Sequence, residues 1–388
     1  MLPNIGEQVL ATILKHENKT TSYKLGLVRA INDLVLTYPG VARHNQDIAV
    51  PLLRIAELWA AYYWCFMDES QPIYQGRPTQ RDGTVRNDIS FRPHLTRLRA
   101  EWQRVVQTKV EPADGFFLFA EMRSPRRRTT YPESLLLAYD NAIREIEQAV
   151  KKPIRFVGQG EWSVFLKPDR LERLPATVMS LPGTSPKDVC VVVSASLWQT
   201  FHQLSLYIEA LAIHEWSLFT EGVVRESANP ITRGDIYSLL TARPDNRRPL
   251  SWERNQVDIL LLEQVTFTCP WTQRRITKPS QYDLDHLLPL TLYPINELWN
   301  LLPVDRHFNQ HIKRDRVPSK EKLAGAEPYF AASYSLYSKS LPLNRVIRED
   351  AALRFLGLKN SPDFAAQLAQ HAVAFIGEVS DARYVNRF

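Results

Sequence analysis

The segment Tyr282-Asp283-Leu284-Asp285-His286-Leu287-Leu288-Pro289 sets a carboxylate beside an imidazole. Asn300 follows fourteen residues after His286, inside Trp299-Asn300-Leu301, and Asn309 comes nine residues later, inside His307-Phe308-Asn309-Gln310-His311-Ile312-Lys313. A neutral histidine is a proton acceptor near pH 7. A carboxylate and an amide carbonyl are hard oxygen donors that suit a divalent cation. An activated water and an electrophile are what the hydrolysis of a phosphodiester requires.

These groups need elements to aim them. Asp285 and His286 lie in a run that reads as a strand, so adjacent side chains leave opposite faces. The acid can then turn to a cation while the imidazole faces a water. The run after Asp305 reads as a helix that carries Asn309 to the other side of the site. His307 and His311 are four apart on that helix and share a face, with Asn309 roughly opposite. If the histidine face meets the hairpin, the two histidines hold the cation and Asn309 is a surface residue; the nine-residue interval from Asn300 favours Asn309. His311 is then available to a backbone phosphate, or is solvent-exposed with no role.

In residue types, spacing and local structure, residues 269–319 resemble the HNH nuclease module, a ββα-metal fold in which a short hairpin feeds one helix. The 14-then-9 interval is similar to that of the HNH domain in RNA-guided Cas9-type nucleases, as is Arg314-Asp315-Arg316-Val317-Pro318-Ser319. The resemblance implies His286 as general base, Asp285 and Asn309 as metal ligands, and Asn300 as a brace for the loop that carries the histidine. It implies Mg²⁺ as cofactor, with Mn²⁺ able to substitute. Each residue alone has an ordinary reading: acid–histidine pairs are common in turns, and an asparagine often caps a helix.

Many HNH proteins staple hairpin to helix with a zinc held by two Cys-x-x-Cys pairs. The matching positions here are Cys269, Thr272, Asp305 and Phe308. Structural zinc needs four nitrogen or sulfur donors, so no structural zinc is expected. The hairpin must be held by packing, with Trp271, Leu284, Leu287, Leu290, Trp299, Leu301 and Leu302 as its expected core.

The 388 residues carry a formal net charge of +6 and a pI near 9.1, which is compatible with nucleic acid but weak evidence alone. Placement says more. Arg274, Arg275 and Lys278 fall at the tip of one predicted hairpin, and Arg306, His311, Lys313, Arg314 and Arg316 lie on or after the predicted helix. Together they are expected to form a phosphate-binding rim for DNA. Arg247-Arg248 and Arg126-Arg127-Arg128 are further basic runs, the latter equally readable as a solvated loop. Three scattered cysteines, Cys65, Cys190 and Cys269, exclude a disulfide scaffold and fit a reducing compartment. The N-terminus lacks the form of a signal peptide. The most apolar stretch, 48–67, is interrupted by Arg54 and Glu57, so it reads as a buried helix. The expected location is cytoplasmic, with no membrane partner.

The expected fold class is α+β: a mostly helical N-terminal region, a small mixed subdomain, a C-terminal ββα-metal module and a helical tail. Helical spacing of Tyr23, Leu27, Ile31, Leu34 and Tyr38 follows a cap signal at Thr20-Thr21-Ser22. A second helix begins near Pro51, with Leu52, Ile55, Trp59, Tyr63 and Phe66 on one face as core rather than base-stacking surface. Residues 93–106 and 132–150 are further helices. Residues 71–87 read as a polar loop and 243–249 as a linker. Ile154-Arg155-Phe156-Val157, Ser163-Val164-Phe165-Leu166 and Val189-Cys190-Val191-Val192-Val193 read as strands. Leu197, Phe201, Leu204, Ile208 and Leu211 mark a long helix in which His214-Glu215 is structural. The tail holds further helices, including 362–376. The expected divisions are 1–150, 151–245, 250–320 and 321–388.

These readings point to a metal-dependent DNA endonuclease that nicks one strand per site. The competing class is a non-catalytic nucleic-acid-binding protein with a degenerate HNH clamp. It is disfavoured because all four key positions are filled. A protein-only interaction role ranks third. The helical N-terminal region resembles, more loosely, domains attached to HNH modules in bacterial anti-phage effectors such as the Zorya type II HNH nuclease. That resemblance implies other defence-system components as partners and regulation by the N-terminal region. Glu349-Asp350 is one acidic patch that could mask the basic rim.

Overall fold

A computed structural model describes residues 5–77, 88–158, 160–225, 231–242, 250–290, 292–293, 296–355, 357–358 and 361–388. The chain divides into two compact units, Met1–Arg243 and Pro244–Phe388, each with its own apolar core. The architecture is α+β. Among the described residues no helix is long and apolar enough to cross a membrane. The linker expected at 243–249, with Arg247-Arg248, lies outside the described residues, as does most of the charged half of the 71–87 loop.

In the first unit α1 (Ile5–Ala11) and a π turn lead to α2 (Tyr23–Thr37), then β1 (Ile48–Pro51) and α3 (Leu52–Trp64). Ser22 precedes α2, but its hydroxyl bonds the Tyr63 hydroxyl at 2.9 Å instead of capping the helix. Helix α3 is buried nearly all round: Leu52, Ile55, Trp59, Tyr62, Tyr63 and Trp64 are core, so its aromatics are packing residues. α4 (Arg92–Val106), α5 (Asp114–Arg123), α6 (Pro125–Arg128) and α7 (Glu133–Phe156) follow. Gly115 lets α5 approach α3, because a Cβ there would lie 2.9 Å from the Ala61 Cα. Within α6, Arg127 is buried on Glu121 at 3.0 Å, and Arg128 reaches Asp140 at 2.6 Å. Two members of that basic run are therefore structural.

The strand expected at 154–157 does not form. Ile146, Val150 and Ile154 recur every fourth residue and are all buried, so the helical stripe of α7 continues through Pro153. Residues 163–166 form no strand either, since Phe165 is buried but pairs with no neighbouring strand. The four-stranded sheet has the order β2-β4-β1-β3, with β2 (Asp169–Arg170), β3 (Met179–Ser180) and β4 (Val189–Val193). Strand β4 runs antiparallel to both β1 and β2, while β1 and β3 are parallel. Its valine-rich run suits a central position buried on both sides. α8 (Ala195–Val224), kinked at Leu204, and α9 (Arg233–Thr241) complete the unit. Glu215 of α8 pairs with Lys15. Residues 1–150 and 151–242 share one core, so a boundary near 150 would cut through α7.

The second unit starts with α10 (Ser251–Leu262), then pairs β5 (Phe267–Thr268) with β6 (Arg275–Ile276) and β7 (Tyr282–His286) with β8 (Leu301–Asp305). α11 (Arg306–Phe308) runs directly into a π turn, Asn309–Lys313. α12 (Lys320–Lys339), α13 (Leu341–Arg354) and α14 (Phe364–Ala382) form the tail. They are not an appendage. The Tyr334 hydroxyl donates to the Trp299 carbonyl at 2.6 Å, and the Tyr337 hydroxyl to that of Leu301 at 2.9 Å. Asp350 is buried and accepts from the Leu298 N–H at 2.7 Å, while Glu349 pairs with Arg345. The acidic patch proposed to mask the rim is thus a structural brace. The division at 320 also fails, because hairpin and tail bury one continuous core. Leu287, Trp299, Leu301 and Leu302 are fully buried in it, whereas Trp271, Leu284 and Leu290 are only half-buried.

Candidate active site

Strand β7 ends on the residues of interest. Its register with β8 pairs Asp283 with Val304, Asp285 with Leu302 and His286 with Leu301. Alternation sends Asp283 and Asp285 toward the following helix. Arg306 Nε donates to Asp283 Oδ1 at 3.1 Å, and Gln310 Nε2 to Asp283 Oδ2 at 3.0 Å. Lys313 Nζ donates to Asp285 Oδ1 at 2.9 Å and to the His286 carbonyl at 2.8 Å. Arg306, Gln310 and Lys313 thus mark the helix stripe that meets the hairpin.

Asn309, on the same turn, is half-buried. His307 and His311 are exposed on the outer side, their ring centroids 4.6 Å apart, so the histidine face does not meet the hairpin. The Asn309 carbonyl accepts from the Arg314 N–H five residues on, at 2.9 Å. This widened turn is of a kind that recurs at functional sites.

Lys313 differs from its expected place. It is 1 % exposed and serves Asp285 instead of a surface rim. Arg306 is held by Asp283 and by the Tyr282 carbonyl at 3.0 Å. Arg275, His311 and Arg314 are exposed, and Arg316 is half-exposed with its guanidinium on the Ile312 carbonyl. Arg274 is exposed and lies 3.5 Å from Asp305.

Asp285 is buried, and its Oδ2 has no hydrogen-bond partner among the described residues. Burial raises its pKa to about 6 against the pull of Lys313, with Asp283 adding a smaller upward push. The folded state therefore holds this proton more tightly than the unfolded chain. Its stabilising effect is complete below about pH 4 and lost as pH rises through 6, an effect of about 3 kcal/mol. In chelator-treated protein, the stability lost between pH 5 and pH 7, the upper part of that range, should shrink by about 1–1.5 kcal/mol in Asp285→Asn. Equal losses in the variant and the parent, read from urea melts, would refute this.

Asn300 is fully buried at the start of β8. Its Oδ1 accepts from the Leu288 N–H at 2.8 Å and its Nδ2 donates to the Leu288 carbonyl at 3.1 Å. Its own carbonyl accepts from the Leu287 N–H at 2.8 Å. The Leu287 N–H and both backbone polar groups of Leu288 are thereby clamped. The imidazole is oriented by Asn296, with Nε2 to Oδ1 at 2.6 Å. Because an amide oxygen only accepts, Nε2 carries the proton and the ring lone pair lies on Nδ1. Sequence spacing had not singled out Asn296. Asp283 and Gln310 were also missed, although Asp283 sits two residues before Asp285 on the same strand face.

At the positions where a zinc staple would sit, Cys269 is core and Asp305 caps α11 through the Phe308 N–H at 2.9 Å. Phe308 packs on Phe388, with ring centroids 5.5 Å apart. Among the described residues no group of three or more His, Cys, Asp or Glu gathers.

Two family models match this chain. One, described as a domain of unknown function (DUF8808), matches residues 5–240, most of the chain. The chain belongs to that family. The other, described as HNH endonuclease, matches residues 269–319, which are the hairpin, helix and exit segment just described. This segment is an HNH domain, which points to nuclease activity. No curated protein and no solved structure matches the chain. The HNH domain of this chain is completed by α10 and α12–α14, which lie outside the matched residues but share its core.

Proposed function

We propose that the chain is a metal-dependent DNA endonuclease that cuts one strand per active site. The observation that carries this reading is the buried Asp285 carboxylate, with Oδ2 unsatisfied, next to an imidazole whose tautomer is set by Asn296. An unsatisfied buried carboxylate oxygen is costly unless something else engages it. Asp285 and Asn309 fit a hard divalent ion such as Mg²⁺, which takes few protein oxygens and completes its shell with water and phosphate. When bound, that ion would neutralise charge growing on the scissile phosphate. His286 would take the proton of the attacking water at Nδ1. Asn300 keeps the His286 loop in place, and Lys313 holds the strand end through Asp285 and the His286 carbonyl. The exposed bases Arg274, Arg275 and Arg314 and the half-exposed Arg316 would meet the DNA backbone, with His311 beside them.

Supercoiled plasmid incubated with Mg²⁺ or Mn²⁺ should give nicked circles before linear product. Binding without any strand cleavage would instead support the degenerate clamp. A setting in anti-phage defence, with other components of such a system as partners, belongs to the same proposal and rests on the likeness of the helical N-terminal region. Plaque counts on cells carrying the intact chain test it, no reduction being the outcome that removes it.

The ligand assignment has its own test. Asn309→Ala should weaken Mn²⁺ binding about tenfold or more, and His311→Ala should change it less. Calorimetric titrations in the reverse order would move the helix ligand to the outer face.

A further inference from the structure

At the C-terminal end of α7, within the first unit, an open cleft of about 480 Å³ is lined by Lys151, Lys152, Arg155, Lys167, Arg170 and Arg173. Asp169 is the single acid among its lining residues. Bases in the last turn of a helix are ordinary complements of its dipole. Three more, arriving from residues 167–173 and converging on the same space, are not explained that way.

Local pairing leaves this charge largely in place. Arg155 Nε meets Glu161 at 2.8 Å, Arg173 lies 3.5 Å from Asp169, and Arg170 lies 3.7 Å from Glu172. These pairs are solvent-exposed and weak. Lys151 donates to Gln148 at 2.9 Å and Lys152 to Ser90 at 3.4 Å, neither of them an acid. Lys167 is exposed and makes no ion pair among the described residues.

Two aromatic side chains complete the cleft. Phe156, 52 % exposed, ends α7 with the Arg155 guanidinium 5.1 Å from its ring centre. Trp162 is held at φ +57°, a region that bulky residues rarely adopt, with its N–H on the Arg155 carbonyl at 3.0 Å. The turn that returns it requires glycine: Gly158 has φ +97°, and a Cβ there would lie 2.2 Å from the Ser163 hydroxyl. Strained backbone is thus maintained where a half-buried indole, an exposed phenyl ring and six bases line one cleft.

We propose that this cleft binds a nucleotide unit, with its phosphates on the basic rim and its base against Phe156 and Trp162. The volume is in the range of small-molecule sites, and aromatic faces beside a basic groove are how single strands are held. The shared chemistry is a phosphorylated base, supplied by a free nucleotide or by a single strand. The cleft lies in the domain of unknown function, and the proposal does not depend on the nuclease.

The test uses the full chain with His286→Ala, so that no probe is cut. A short oligothymidylate carrying 4-thiothymidine and, separately, 8-azido-ATP are photocrosslinked, and adducts are mapped by mass spectrometry. Labelling within 151–173 by either probe supports the proposal; the strand alone identifies a single strand, and the azido nucleotide alone a free nucleotide. Lys167→Glu/Arg173→Glu should weaken that labelling about tenfold with an unchanged melting temperature. Should the pair unfold the protein, Lys167→Ala alone is read, with a smaller loss expected. Absence of labelling there, or labelling indifferent to these substitutions in folded protein, overturns the proposal. Inorganic triphosphate displacing the nucleotide probe as well as ATP does would overturn the stacked base.

Discussion

His286→Ala is expected to lower plasmid cleavage by a factor of about 10²–10⁴, the usual contribution of a positioned general base. Fold and DNA affinity should be nearly unchanged. The side chain is half-exposed at the end of β7, and the strand is held there by backbone pairing with Leu301 and by the Asn300 clamp, neither of which involves the imidazole. Removing a base takes away help given in the transition state and leaves ground-state contacts in place. Nicking assays under single-turnover conditions, beside filter binding and a thermal melt, measure the three quantities separately. Near-normal cutting by this variant would end the assignment of His286. In cells, the same substitution should abolish any plaque reduction given by the intact chain.

Lys313→Ala is expected to destabilise chelator-treated protein by about 3–5 kcal/mol, because it leaves Asp285 as an uncompensated buried charge. The ammonium is fully enclosed and serves both Asp285 and the His286 carbonyl. Adding Asp285→Asn to Lys313→Ala should recover much of that loss, since the charge that needed a partner is gone. Mg²⁺ should stabilise Lys313→Ala more than the parent, as a cation on Asp285 replaces the missing positive charge. Urea melts with chelator and with Mg²⁺ measure both effects. An unchanged midpoint together with weaker, less salt-dependent DNA binding would return Lys313 to the surface rim.

The contrast between these two residues shows where sequence reading succeeds. The Asp285-His286 strand, the Asn300 brace position and the helix bearing Asn309 are local features. They follow from alternation, spacing and a strand-to-helix connection of a few residues, and the structure places all of them in one hairpin and its helix. The long apolar stripes of α2 and α8, the buried α3 and the valine run of β4 were legible for the same reason.

Where a feature depended on what packs against it, the pattern was ambiguous. Ile154-Arg155-Phe156-Val157 has strand composition, yet Ile154 extends a helical stripe already buried by its neighbours. A lysine after a helix reads as a surface base until a buried carboxylate lies opposite, which requires β7 to be folded beside it. Asn296 meets His286 only once the loop between β7 and β8 is closed. Asp350 looks like free acid until the Leu298 N–H is buried against it.

From the sequence alone came the HNH constellation and the kinds of chemistry its residues support, because side-chain type and short spacing determine those. Tertiary structure alone decided which charges are buried partners and which face solvent, and that the tail shares one core with the HNH hairpin. It also decided that bases from α7 and from residues 167–173 share one cleft. Burial and long-range pairing set the electrostatic role of a charged residue, and neither is encoded in a local window.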